Sequence, residues 1–166
     1  MPATKPASKP ARSATAKRDA HPAPHVTTLA VRKGSNYPPG RMLIASPNAI
    51  DAIVRRIPHG RVLTLPDLRA ALADAHDADY TCPITTGIFL RVAAEAAEEE
   101  RALGATGAAP WWRVVRETGA LIDKLPGAGA TQRARLASEG IPCAPGRARI
   151  PRIDGLEARR WVPPRG

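Results

Sequence analysis

Apolar residues recur at helical spacing from Ser46 onward and hardly at all before it. Ile50, Ile53, Val54 and Ile57 fall on one face of a helix that Ser46-Pro47 opens, with serine as cap and proline in the first turn, and that Pro58-His59-Gly60 stops. Arg61-Val62-Leu63 reads as a short extended link. Thr64 caps a second helix, Asp67 sits at its third position where the helix dipole favours a carboxylate, and Leu65, Leu68 and Leu72 form its buried stripe. Asp74, His76, Asp77 and Asp79 then interrupt the pattern. Thr81-Cys82-Pro83 opens a third, longer helix running through Ala97 toward Leu103, whose buried face is predicted to be Ile84, Ile88 and Val92 with Phe89. Gly104 to Ala109 is a small-residue loop, Pro110 to Val115 reads as a strand, and Arg116 to Ala120 is a turn around Gly119. A last helix spans about Thr131 to Glu139 and ends at Gly140. Two helices joined by a turn and followed by strand and turn elements predict a mainly α fold with a small β wing, a winged helix-turn-helix.

The remaining segments divide the chain. Residues 1–25 are Ala, Lys, Pro, Ser, Thr and Arg without apolar periodicity and are expected to form a disordered basic arm. Residues 26–45 hold short apolar pieces, Leu29 to Val31 and Met42 to Ile44, between turn residues, and read as loosely ordered. Residues 46–145 are then the winged-helix domain and 146–166 a basic C-terminal tail, in which Trp161 beside Arg159 and Arg160 either clasps a backbone or folds over the core.

Charge follows the same division. The formal net charge is +10, of which residues 1–46 contribute +7, residues 47–145 contribute −1 and residues 146–166 contribute +4. Basic ends on a neutral core suit a polyanion, because each Lys or Arg that neutralises a phosphate releases a condensed counterion. Duplex DNA is the expected partner. A membrane is not, since the chain has no apolar run of about 18 residues and no amphipathic Trp/Leu/Lys helix in its tails. The N-terminus lacks an apolar signal core, so a cytoplasmic, nucleoid-associated monomer is expected. Cys82 and Cys143 form no disulfide framework and have no Cys or His at metal spacing, so neither a metal nor a cofactor is expected. Cys82 at a helix N-terminus reads either as a reactive thiol or as a small buried hydrophobe.

Three pieces occur in a telling order: Ile57-Pro58-His59-Gly60-Arg61-Val62-Leu63-Thr64, Pro110-Trp111-Trp112-Arg113-Val114-Val115, and Leu136-Ala137-Ser138-Glu139-Gly140. In order and spacing they resemble the DNA-binding domain of the alkylguanine-DNA alkyltransferases, over roughly residues 46–142. The first is similar to that family's Ile-Pro-x-Gly-x-Val-x-Thr/Ser, the second to its active-site Pro-Cys-His-Arg-Val, and the third to its closing Leu-x-x-Glu-Gly. The resemblance implies a flipped nucleotide held in a pocket beside the recognition helix, because a base inside a duplex cannot be reached. Trp111 and Trp112 stand where the family keeps its acceptor cysteine and activating histidine. Indole is one N–H donor and neither base nor nucleophile, so transfer by this route is excluded on chemistry. The nearest likeness is to the alkyltransferase-like branch, which binds alkylated guanine without reversing the lesion and recruits a repair partner.

The resemblance assigns Leu65, Ile84, Trp111 and Trp112 to a base pocket, with an indole packing on a flipped base or else filling the core. Leu65 replaces the family's Tyr, and Ile84 stands near its intercalating Arg, either as an apolar wedge or as a buried side chain. Thr85, Thr86 and Gly87 in the first turns of the recognition helix are expected to contact DNA or to cap and pack that helix. Arg91, Arg113 and Arg116 are further DNA-contact candidates. Glu95, Glu98, Glu99 and Glu100 read as a solvated acidic face. Two other classes remain open: a winged-helix transcriptional or nucleoid-associated protein, and a methyltransferase whose acceptor has moved to Cys82 or Cys143.

Overall fold

The computed structural model describes residues 11–165, and its helices begin where cap chemistry places them. Ser46 Oγ accepts from the Ala49 amide at the start of α2 (Pro47–Val54), and Thr64 Oγ1 accepts from the Asp67 amide at the start of α3 (Leu65–Ala75). A proline in each first turn loses no intrahelical bond there. The Thr64 hydroxyl also donates to Asp67 Oδ2 at 2.7 Å, so cap and third residue hold each other. Gly140, with φ 74°, ends α5 (Ala130–Ser138) and lets the Ile141 amide turn back to the Leu136 carbonyl at 2.9 Å. Ile50, Ile53, Val54, Ile57, Leu68 and Leu72 are all buried, as their spacing predicts.

The long helix α4 (Pro83–Ala102) buries a different face from the one its large aliphatics mark. Ile84 and Ile88 are 61% and 54% exposed, while Leu90, Ala93, Ala94 and Ala97 face the core with Thr86. The reason is steric. Alanines let α2 approach α4 closely, a packing that isoleucines at the same positions would hold apart.

Part of the expected disordered arm is ordered by the acidic end of α4. Residues 14–19 form α1 (Ala14–Asp19), capped by Ser13; six residues are too few to stay helical alone. The Glu99 carboxylate accepts from the Ala14 and Thr15 amides and from the Thr15 hydroxyl, and Arg18 meets Glu100 at 2.6 Å. Glu100 also binds Arg55, at 2.9 Å. The carboxylates expected to face solvent are therefore an internal dock. The rest of the arm, residues 1–10, lies outside the described residues.

The segment expected to be loosely ordered is a hairpin. β1 (His25–Leu29) pairs antiparallel with β2 (Gly40–Ile44), which pairs parallel with β4 (Tyr80–Thr81) in a three-stranded sheet of order β1-β2-β4. β3 (Leu63–Thr64) pairs parallel with β5 (Val114–Val115), and β6 (Cys143–Ala144) pairs antiparallel with β7 (Arg152–Ile153). The strand expected over Pro110 to Val115 is shorter, because Trp111–Arg113 form a 3-10 turn before β5. The architecture is thus mainly α with a small β component. Among the described residues no helix is long and apolar enough to cross a membrane.

The C-terminal tail folds over the core. After α6 (Leu156–Arg159), the Trp161 amide donates to the Val62 carbonyl at 2.7 Å and the Val62 amide to the Arg159 carbonyl at 2.9 Å. Arg160 grips the Asp67 carboxylate through Nε and Nη2 at 2.8 and 2.7 Å. That guanidinium, helped by the Thr64 hydroxyl, holds the Asp67 carboxyl below its usual range against the opposing effect of burial. A carboxyl lowered on folding stabilises fully above its ordinary value near about 4, and the gain is lost as pH falls through the lowered value. Asp67→Asn is accordingly expected to cost about 1 kcal/mol at neutral pH. Urea unfolding should show wild type and variant converging as the medium is acidified, and a pH-independent gap would contradict this account of the tail.

Candidate nucleic-acid interface

The 3-10 turn after Pro110 directs both indoles inward. Trp111 is 1% exposed and its Nε1–H donates to Glu98 Oε1 at 2.7 Å, a carboxylate shared with Arg135. Trp112 is 6% exposed and donates to Glu139 Oε1 at 2.7 Å. The rings meet edge to face at 6.1 Å, and the guanidinium groups of Arg101 and Arg135 lie 4.4 and 4.8 Å from the Trp112 ring centre. Glu139 further accepts from Arg113 Nε at 3.0 Å and from the Gly60 amide at 2.9 Å, while Arg113 Nη1 donates to the Ile57 carbonyl at 2.6 Å. Burial raises the Glu98 and Glu139 carboxyls, but these cations and N–H donors outweigh it and hold both below the usual range.

At these positions the structure takes the packing alternative. Trp111 and Trp112 are core, with ring faces and N–H groups already occupied, and they do not line an open base pocket. Arg113 is an internal brace, its side chain 13% exposed, rather than a contact for DNA. Thr86 is buried and its hydroxyl donates to the Cys82 carbonyl at 2.7 Å, so it serves the helix start. Thr85 is half-buried and lies off the groove described next.

The opposite side of α4 faces a groove of about 810 Å³. It is lined by the apolar side chains of Leu65, Ile84, Ile88, Leu90, Ile122 and Leu125 and by the cations Lys17, Arg69, Arg91, Arg116 and Lys124, with Glu95 as its one carboxylate. Arg91 is paired along its own helix with Glu95 at 2.9 Å, and Arg116 reaches Asp123 only at 3.5 Å. Gly87 lies on the exposed face with nothing within 4 Å of where a Cβ would stand, so a ligand can approach the α4 backbone there. The structure thus brings together Leu65, Ile84, Gly87, Arg91 and Arg116 of the sequence candidates. It adds Arg69, Ile88 and Lys124. Arg69 follows Leu65 by four residues on α3, a spacing that already put it on the same face; Lys124 arrives by a loop and carried no such signal.

The two cysteines lie outside the groove. Burial pushes the Cys82 thiol up, but hydrogen bonds from Thr85 and Ile84 at the start of α4 outweigh it and leave it below its usual value. Burial pushes the Cys143 thiol up. Among the described residues no group of three or more His, Cys, Asp or Glu is placed to hold a metal ion.

No family model matches the chain, and no curated protein matches it. Solved structures do resemble it. The structure of S. pombe Atl1 in complex with damaged DNA containing O6-carboxymethylguanine is 20% identical, with a TM-score of 0.50, over 70% of this chain and 94% of that one. The structure of S. pombe ATL in complex with DNA is 20% identical with a TM-score of 0.46, over the same shares. The chain therefore shares its fold with Atl1.

The buried carboxylate beside Trp112 makes a strong prediction about stability. Glu139→Ala strands Arg113 in the interior and frees the Trp112 N–H and the Gly60 amide, which is expected to cost about 3 to 5 kcal/mol. Calorimetry should show a fall in Tm of about 10 °C or more. A fall of a degree or two would mean that the carboxylate braces nothing.

Proposed function

We propose that this chain is a non-catalytic, winged-helix DNA-binding protein of the alkyltransferase-like type, and that its α4 groove receives an alkylated guanine turned out of the duplex. The observation that carries the reading is the groove itself, whose lining joins apolar side chains on which a flat base can pack with Arg69, Arg91, Arg116 and Lys124, cations suited to phosphates. Exposed Ile84, at the N-terminal end of α4, is placed to enter the base stack as a wedge, the use that minor-groove proteins make of apolar side chains. The structure of Atl1 with DNA containing O6-carboxymethylguanine supports the same use of a shared fold. A role in assisting DNA repair through a protein partner, at the nucleoid in the cytoplasm, follows from this reading.

The absence of transfer is part of the proposal. The groove lining offers neither thiol nor imidazole, and Trp111 is sealed against Glu98. A thiol placed there would lie beside the Glu98–Arg135 ion pair, buried in the core, with no imidazole to take its proton and no access for a DNA base. Trp111→Cys is therefore expected to leave the protein unalkylated by mass spectrometry after incubation with O6-methylguanine duplex, and to cost about 3 to 5 kcal/mol of stability. The native chain should also stay unmodified; a methyl on Cys82 or Cys143 would show that it is a transferase with a displaced acceptor.

Binding is tested by anisotropy with duplexes that differ in one O6-alkylguanine. Tighter binding to the alkylated duplex is expected, and Ile84→Ser should weaken it about tenfold, or about 1.4 kcal/mol. Arg69→Gln with Arg116→Gln should weaken both duplexes and flatten the salt dependence. Equal affinity for the two duplexes would remove lesion recognition and favour a general winged-helix DNA-binding role. No binding at low salt would overturn both.

A further inference from the structure

The arginines of this protein are unevenly neutralised. Arg18, Arg55, Arg113, Arg135 and Arg160 each meet a carboxylate. Among the described residues, Arg133, Arg147, Arg149 and Arg152 make no ion pair, and all four are exposed. These four gather about one hairpin, while Arg32, Arg56 and Arg61, likewise exposed and without an ion pair, stand singly elsewhere. Arg152 stands in β7 opposite Ala144 of β6, Arg147 and Arg149 stand in the loop that joins the two strands, and Arg133 of α5 lies within electrostatic reach of Cys143 in β6. The nearby carboxylate, Asp154, follows β7 and is exposed without closing on any of them.

The hairpin tip has an unusual, specified shape. Ala148 and Arg149 are consecutive residues in the left-handed region, with φ of 52° and 62°, a conformation that side chains with a Cβ rarely adopt. Gly146 has no room for a Cβ, which would fall 2.0 Å from the Ile150 carbonyl oxygen, and the Ile150 amide closes the loop on the Arg147 carbonyl at 3.1 Å. Backbone held in such regions is kept by its surroundings and concentrates where a protein meets its ligands. Here it holds out Arg147 and Arg149 on either side of a single alanine.

The hairpin is also fastened to the groove wall. The Leu121 amide donates to the Pro151 carbonyl at 2.9 Å, the Ile153 amide donates to the Gly119 carbonyl at 3.0 Å, and Ala120 bridges Arg152. The same segment continues directly into Ile122, Lys124 and Leu125 of the groove. We infer that the β6–β7 hairpin is a second DNA-backbone contact: when duplex occupies the α4 groove, Arg147 and Arg149, with Arg133 and Arg152 behind them, take phosphates on the flanking duplex. This rests on the DNA-binding reading above and adds a site to it. An anionic membrane is the poorer partner for the same charges, because the tip presents no exposed large apolar side chain to enter the lipid interface.

The test is the salt dependence of binding to unmodified and alkylated duplexes by the full chain. Arg147→Gln with Arg149→Gln should reduce the slope of log affinity against log salt by about 1.8, about 0.9 for each phosphate no longer neutralised. The ratio of affinities for the two duplexes should stay the same, since the groove is untouched. Gly146→Ala keeps every charge but distorts the tip, and should lower the slope in the same sense. Arg32→Gln with Lys33→Gln removes equal charge elsewhere and should leave the slope nearly unchanged. Unchanged Tm in the exposed Arg variants confirms that folding is not at issue. A slope unmoved by the hairpin variants, or lowered equally by the Arg32 and Lys33 pair, overturns the hairpin site while wild-type binding leaves the DNA reading standing. Failure of wild type to bind any duplex overturns the DNA reading and the hairpin site with it. Capture of phosphatidylserine vesicles that depends on Arg147 and Arg149, with the DNA slope unmoved, assigns the hairpin to a membrane surface instead.

Discussion

The carboxylate of Glu139 is the point to which separate parts of the core are tied. It takes N–H groups from Trp112, Arg113 and Gly60, and through Arg113 it reaches the carbonyl of Ile57. The turn that ends the first core helix, the 3-10 turn before β5 and the end of α5 thus meet at one buried anion. Its negative charge is compatible with burial only because arginine and N–H donors surround it. Glu98 does the same for Trp111 and Arg135 on the other side of the ring pair. With Glu139 satisfied in the interior and Glu98 at its partly exposed edge, α4 is held by its alanine face, and its isoleucine face is left to solvent.

What was legible in the sequence was what local chemistry decides. Ser46, Thr64 and Gly140 mark helix ends because cap hydrogen bonds join residues a few positions apart, and the first core helix shows its buried face because its partners are large and periodic. The three motif pieces located the segment around Trp111 and the groove residues Leu65 and Ile84. The face of α4 was misjudged because hydrophobic size points to Ile84 and Ile88, while close helix packing selects Ala93, Ala94 and Ala97. The helix α1 was invisible for another reason: its stability comes from Glu99 and Glu100, more than eighty residues away, and nothing within Ala14–Asp19 itself announces them. The inward turn of Trp111 and Trp112 likewise depends on Glu98, which reads from the sequence as part of a solvated face, and on Glu139, whose motif marks the end of a helix and not a partner for an indole.

Composition misled in a related way. A net charge of +10 suggests cationic ends free to roam over a polyanion. Ion pairs inside the chain leave that excess unchanged, but they fix particular cations of the ends in place, with Arg18 on the end of α4 and Arg160 on Asp67. Among the cations without a carboxylate partner, the fold sets Arg69 and Lys124 on the groove and Arg133, Arg147, Arg149 and Arg152 about one short hairpin, so topology as well as tail composition bears on where an anionic partner meets the surface.

The two indoles have one more consequence, for how such a chain can change over time. Each ring shares a carboxylate with an arginine, so replacing a single indole by a smaller residue opens a cavity and at once takes a partner from a buried charge. Such losses are coupled and do not add as independent steps. Against a total stability of about 5 to 15 kcal/mol, a one-residue step from this pair toward cysteine or histidine costs a large share of what holds the chain folded. The ring pair is therefore easier to keep than to abandon, and packing alone narrows the chemistry open to these two positions.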